Sequence, residues 1–125
     1  MIMIAFLMAA QAVPASVLDE ADAANDAYVG CLLAISRSAD GAGLSVTEYE
    51  RKLAVSCWAE ERVINRIDTK LFTLRGHRGP AREADALNSE TRQSMVDTYR
   101  RLPEFKNALK QIEEVCRADP AQCRQ

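Results

Sequence analysis

The chain has 125 residues, of which 48% are hydrophobic and 27% are charged, and its formal net charge is −2 at pH 7. This size and composition are typical of one folded domain and argue against wholesale disorder. The slightly acidic balance argues against nucleic acid as a partner, because proteins that bind phosphate backbones carry a basic surface.

The N-terminus carries an unbroken apolar run over residues 2–10, before any charged residue. The run ends in small residues and Pro14, which is typical of a secretory signal peptide, although no Lys or Arg precedes it. We predict cleavage after Ala15, with Ala12 as the alternative position. The competing interpretations are a membrane anchor, which needs about 20 apolar residues, and a cytosolic apolar N-terminus.

This pattern predicts a cleaved signal peptide over residues 1–15 and a single helical domain over residues 16–125. The mature protein would then be exported to the periplasm or the extracellular space. We expect no stable membrane anchor after cleavage.

Four cysteines, an even number, indicate disulfides in an exported protein. Three pairings are possible, and geometry favours Cys31 with Cys57 and Cys116 with Cys123. The first two cysteines lie on either side of a predicted turn at residues 40–44. A proline-containing bend separates the other two and would fold the C-terminus back.

The first predicted helix runs from about Val17 to Ser38 and ends before Gly41 and Gly43. Its apolar residues recur at steps of three and four, which places them on one face: Val17, Ala21, Ala24, Tyr28, Cys31 and Ile35.

A capping box at residues 45–48, Ser-Val-Thr-Glu, predicts the start of a second helix that continues to Gly76. We expect Trp58 to pack over the disulfide between the helices. Glu60 falls at the edge of the apolar stripe, with its carboxylate in solvent as the favoured interpretation and a buried, proton-active carboxylate as the alternative.

A Gly-rich turn precedes a weakly patterned but helix-compatible segment at residues 81–89. The apolar stripe then returns at Met95, Tyr99, Leu102, Phe105, Leu109, Ile112 and Cys116. Pro103 either bends this helix or begins a separate one. With no strand pattern, the fold class is all-α: a small antiparallel bundle of three helices with a bent third, or of four, stapled by disulfides.

Catalytic and cofactor motifs are missing from the sequence. The single histidine, His77, leaves few ways to build a nucleophile–base pair. The sequence contains no CxxC motif, so the ligand spacing of a zinc site is absent. The paired carboxylates at residues 60–61 and 113–114 are neighbours on a helix, point apart and are interpreted as solvated. We expect no catalytic residue, no cofactor, no metal and no enzymatic activity.

The favoured function is therefore a protein-interaction or accessory factor in the cell envelope, whose partner is another envelope or secreted protein. The alternative is a small-molecule or anion binder, because arginine offers anions a two-pronged donor. Its candidate contacts are Arg75, Arg78, Arg82 and Trp58. A cysteine-dependent redox enzyme is a third possibility, which requires a free thiol.

Overall fold

The computed structural model describes residues 13–123 as helices joined by short connections, which confirms the predicted all-α bundle in its four-helix form. Helix α1 begins at Ala15, directly after Pro14. The bounds are α1 Ala15–Ala42, α2 Val46–Ser56, α3 Trp58–Leu74, α4 Pro80–Ala118 and a closing 3₁₀ turn Pro120–Cys123.

The apolar run at residues 2–10, predicted to belong to the signal peptide, lies outside the described residues. Within residues 13–123, none of the helices combines the length and the apolar character that crossing a membrane requires.

The turn between α1 and α2 is determined by local residues. Gly43 adopts a left-handed conformation (φ 66°) that ends α1, and the Leu44 N–H donates to the Ala39 carbonyl at 3.0 Å. Two residues after Gly43, the Ser45 hydroxyl accepts a hydrogen bond from the Glu48 N–H at 3.2 Å. The predicted helix start is therefore present, whereas α1 continues past Gly41, where it was predicted to stop.

The second predicted helix is two helices, α2 and α3, and the prediction of one was wrong. The backbone leaves helical geometry only at Cys57 (φ −107°, ψ 13°). This residue is bonded to Cys31, with the two Cα atoms 5.9 Å apart. Since the apolar stripe keeps the same face on both sides of Cys57, periodicity could not reveal the break.

The core lies where α1, α2 and α3 meet the first two thirds of α4. Tyr49 and Tyr99 stack with ring centroids 4.0 Å apart, and the Tyr99 hydroxyl donates to the Leu44 carbonyl at 2.6 Å. This contact closes the α1–α2 turn against α4. The buried cluster comprises Ala24, Tyr28, Leu32, Ala39, Tyr49, Leu53, Cys57, Ile64 and Val96.

Helix α4 is one continuous helix that includes Pro103, so of the two alternatives at that residue a separate last helix does not form. The weakly patterned segment at residues 81–89 is its first part. Leu102 is half-buried against the bundle, and after it the helix continues beyond the packed core.

Candidate functional site

The last part of α4, residues 103–118, projects from the bundle, and we call it the α4 extension. All of its residues are exposed except Cys116, which is half-buried. At a helical rise of 1.5 Å per residue it is about 24 Å long. Four large apolar side chains on it are about half exposed: Phe105 58%, Leu109 56%, Ile112 58% and Val115 49%.

These side chains correct an expectation from the sequence. The sequence shows an apolar stripe from Met95 to Cys116, interrupted at Pro103, and this stripe was expected to face the rest of the bundle. Met95 and Tyr99 do pack against the core, but Phe105, Leu109 and Ile112 are exposed because the extension lies beyond the part of α4 that the other helices cover. The extension is therefore an amphipathic helix with an open apolar face.

A disulfide between Cys116 and Cys123 ends the extension and folds the chain back, with the two Cα atoms 5.6 Å apart. The Asp119 N–H still donates to the Val115 carbonyl at 2.9 Å, while the 3₁₀ turn follows. Between this turn and the helix lies an open, mostly apolar groove of about 420 Å³, lined by Ala108, Gln111, Ile112, Val115, Cys116, Gln122 and Cys123. Both disulfides are the pairs that the predicted geometry favoured.

Charge is unevenly distributed along the extension. Its first half carries Glu104, Lys106 and Lys110, a net charge of +1, and its second half carries Glu113, Glu114 and Arg117, a net charge of −1. The Lys106 Nζ lies 2.7 Å from the Asp40 carboxylate at the end of α1, where both side chains are largely exposed.

A second pocket, of about 280 Å³, lies at the base of the extension, where α4 leaves the bundle. It combines apolar and basic side chains, and its lining comprises Asp40, Gly43, Leu44, Ser45, Val46, Tyr99, Arg100, Leu102, Pro103 and Lys106.

A buried polar cluster joins α1, α3 and α4 inside the bundle. Arg92 donates to both carboxylate oxygens of Glu61, and the Tyr28 hydroxyl lies 3.2 Å from one of those oxygens and 3.1 Å from the Asn88 carbonyl. Glu61 is only 9% exposed. The expectation of a solvated Glu61 was therefore wrong, because an arginine on another helix neutralises it.

Asn88 extends the same cluster towards α3. Its side-chain amide lies 2.7 Å from the Asn65 side-chain oxygen and 3.0 Å from the Asp68 carboxylate. Burial, followed by the nearby Glu61 carboxylate, raises the pKa of Tyr28 well above its ordinary value, so the phenol stays protonated. Since Glu61 has internal partners on both oxygens, the cluster is suited to holding helix register rather than to binding a substrate.

The predicted anion contacts are only partly brought together. Arg75, Arg78 and Arg82 are all exposed, but of these only Arg78 and Arg82 line the open hollow of about 880 Å³ at the start of α4. Glu83 lines the same hollow and lies 2.8 Å from His77 Nδ1. A carboxylate at this position opposes anion binding.

Trp58 does not occupy the position predicted for it. It is 55% exposed at the start of α3 rather than packed over the disulfide, and the Arg62 guanidinium lies 4.7 Å from its ring centroid. The lining of the arginine hollow does not include Trp58.

Glu60 also differs from its favoured interpretation. One of its carboxylate oxygens is covered and has no hydrogen-bond partner among the described residues. The side chain borders a small hollow of about 220 Å³ lined otherwise by Ala24, Ala27, Ala59 and Val63.

The remaining chemistry is limited by how the cysteines are used. All four are paired, which leaves no free thiol among them. Within residues 13–123 no group of three or more His, Cys, Asp or Glu side chains is arranged to hold a metal ion. Comparison with known protein families, with curated proteins and with solved structures gives no match.

Proposed function

We propose that this protein is a non-catalytic binding protein that engages another polypeptide through the α4 extension. The observation that carries the proposal is the row of Phe105, Leu109, Ile112 and Val115, each about half exposed on a helix that projects from a packed bundle. Contiguous exposed apolar surface of this kind marks interaction sites in soluble proteins.

The shape of the extension favours a polypeptide over a small ligand. Small-molecule sites are concave and enclose most of the ligand. Most of the extension is instead a convex stripe, and the groove beside the C-terminal turn is open to solvent. Such a stripe is covered most completely by another helix laid along it, through apolar residues spaced three and four apart.

The two disulfides support an exported protein, because such bonds persist in oxidising compartments. The periplasm or the extracellular space is therefore the proposed location, and an envelope or secreted protein is the proposed class of partner. The apolar run at residues 2–10 agrees with this location as a signal peptide.

Photo-crosslinking in producing cells tests the proposed function. A benzophenone amino acid at position 112 is compared with the same residue at position 114, which replaces Glu114 on the polar side of the extension. We expect a defined crosslinked protein product from position 112 and little or none from position 114. Equal products from both positions, or none from either, would contradict the proposal.

Intact mass after rapid alkylation of free thiols tests the compartment. We expect a mature species that begins at Ser16 or Val13 and takes up alkylating agent only after reduction. A full-length species with alkylated cysteines would place the protein in a reducing compartment.

A further inference from the structure

The α4 extension has the residue spacing of a two-stranded coiled coil. We propose that its apolar stripe is covered by a second copy of this chain, packed antiparallel along it. This inference rests on the proposed function and names the partner. The residues that fill the two inward positions of the heptad repeat are Leu102, Phe105, Leu109, Ile112 and Cys116.

One antiparallel register pairs opposite charges on the flank of the stripe. When Leu109 lies opposite Ile112 of the second copy, the two-fold axis passes through the middle of the extension. Lys106 of each chain then lies beside Glu113 of the other, because both occupy the same flanking position of successive heptads. The symmetry forms this ion pair twice. Glu113 would share the Lys106 ammonium with Asp40, which lies 2.7 Å from it in its own chain.

The alternative arrangements, two antiparallel registers shifted by one heptad and a parallel pair, bring like charges together. A shift of one heptad in one direction places Lys106 beside Lys106 of the second copy, and a shift in the other direction places Glu113 beside Glu113. A parallel pair places Arg101 beside Lys106. Since like charges disfavour each of these alternatives, the charge pattern selects one arrangement.

The length of the exposed segment agrees with the same register. The register with Leu109 opposite Ile112 places Pro103 of one chain opposite Ala118 of the other. These are the first and last residues of the extension. The register therefore pairs Leu109 with Ile112 at its centre, while Phe105 of one chain faces the Cys116–Cys123 disulfide of the other.

The base of the extension offers a further complementary contact. This register brings Asp119 of the second copy to the level of Leu102, which lines the pocket of about 280 Å³ where α4 leaves the bundle. Arg100 and Lys106 line that pocket too. Asp119 of one chain thus comes near Arg100 at the base of the other, where Lys106 is already paired with Asp40.

The helix needed for this contact is already formed before binding. A short isolated helix is marginal in water because its first turn is costly to nucleate. The extension avoids this cost, since it continues a helix that is packed in the bundle and is closed by the Cys116–Cys123 bond. A short two-heptad stripe can therefore support association.

Sedimentation equilibrium of the disulfide-bonded protein tests the proposal with matched charge variants. Glu113→Lys replaces both ion pairs by like charges and should weaken dimerisation about tenfold. Glu114→Lys makes the same chemical change on the outer face of the helix and should change the dissociation constant by less than about threefold. The exchanged variant Lys106→Glu with Glu113→Lys is made together with Asp40→Asn, because Lys106 lies 2.7 Å from the Asp40 carboxylate of its own chain. It restores opposite charges across the pair and should recover most of the lost affinity.

Three results would overturn the self-pairing. One is a native protein that stays monomeric at all concentrations, another is an equal effect of Glu113→Lys and Glu114→Lys, and the third is no recovery in a folded exchanged variant. A monomer whose position 112 still crosslinks to a different exported protein overturns self-pairing while the proposed function stands. A monomer with no protein product at position 112, or with lipid labelling alone, overturns both.

Discussion

The bundle and the α4 extension use the same apolar residue types for opposite purposes. Leu53 in the bundle is fully buried, whereas Leu109 in the extension is 56% exposed. The disulfides differ in the same way. Cys31–Cys57 joins residues 26 apart, one on α1 and one at the junction of α2 and α3. Cys116–Cys123 joins residues 7 apart at one helix end. The bundle therefore buries its apolar side chains, whereas the extension leaves its own exposed.

Truncation of leucine gives the largest expected contrast between the two regions. Leu53→Ala should lower the free energy of unfolding by about 3 kcal/mol, because it leaves a cavity in a packed core. Leu109→Ala should change that of the monomer by less than about 0.5 kcal/mol. Denaturant unfolding at a concentration below dimerisation measures both. Similar losses would mean that the extension belongs to the core.

Removal of each disulfide sharpens the same comparison. Replacing Cys31 and Cys57 by serine should lower the free energy of unfolding by about 3 kcal/mol. Without the crosslink the unfolded chain gains conformational entropy, which favours unfolding. Replacing Cys116 and Cys123 should leave the main thermal transition almost unchanged, since these residues lie outside the core. Calorimetry of the two variants checks this, and the reverse order would contradict it.

Two arginines on α4 allow the contribution of a buried ion pair to stability to be compared with that of an exposed one. Arg92→Met removes the partner of the buried Glu61 carboxylate and should cost about 2 kcal/mol of stability. Arg100→Met removes an exposed contact to Asp97 at 3.5 Å and should cost less than about 0.5 kcal/mol. Urea unfolding at neutral pH compares them. Equal costs would show that the polar cluster does not stabilise the bundle.

The smallest expected effect is a dependence on alkaline pH that arises in the bundle. Burial raises the pKa of Tyr28 above its unfolded value, so the folded protein keeps a proton that the unfolded chain loses. The stabilisation that comes from the protonated Tyr28 phenol is fully present below about pH 10. Above that pH the free energy of unfolding falls by up to about 1.4 kcal/mol per pH unit.

Tyr28→Phe should remove this part of the pH dependence. The control is the native protein unfolded over the same pH range, with circular dichroism as the measurement. An identical alkaline slope in both proteins would show that Tyr28 ionises as readily in the folded state as in the unfolded state.

Local features of the sequence were predicted well. The Ser45 cap, the glycine that ends α1 and the two cysteine pairs all depend on residues that act over a few positions or across one turn. The burial of Glu61 was missed, because its partner Arg92 lies 31 residues away on another helix. The exposure of Trp58 was missed for a related reason, since no pattern of neighbours revealed which face of α3 is covered.

By itself the sequence determined that the chain is helical and which faces of its helices are apolar, because periodicity and capping are properties of single segments. It favoured one of the three cysteine pairings without determining it. Only the tertiary structure decided which apolar face is covered. The stripe on α4 has the same character before and after Pro103, but the other helices pack only against its first part. Whether an apolar face stays open depends on which helices pack against it, and periodicity along one helix carries no information about that.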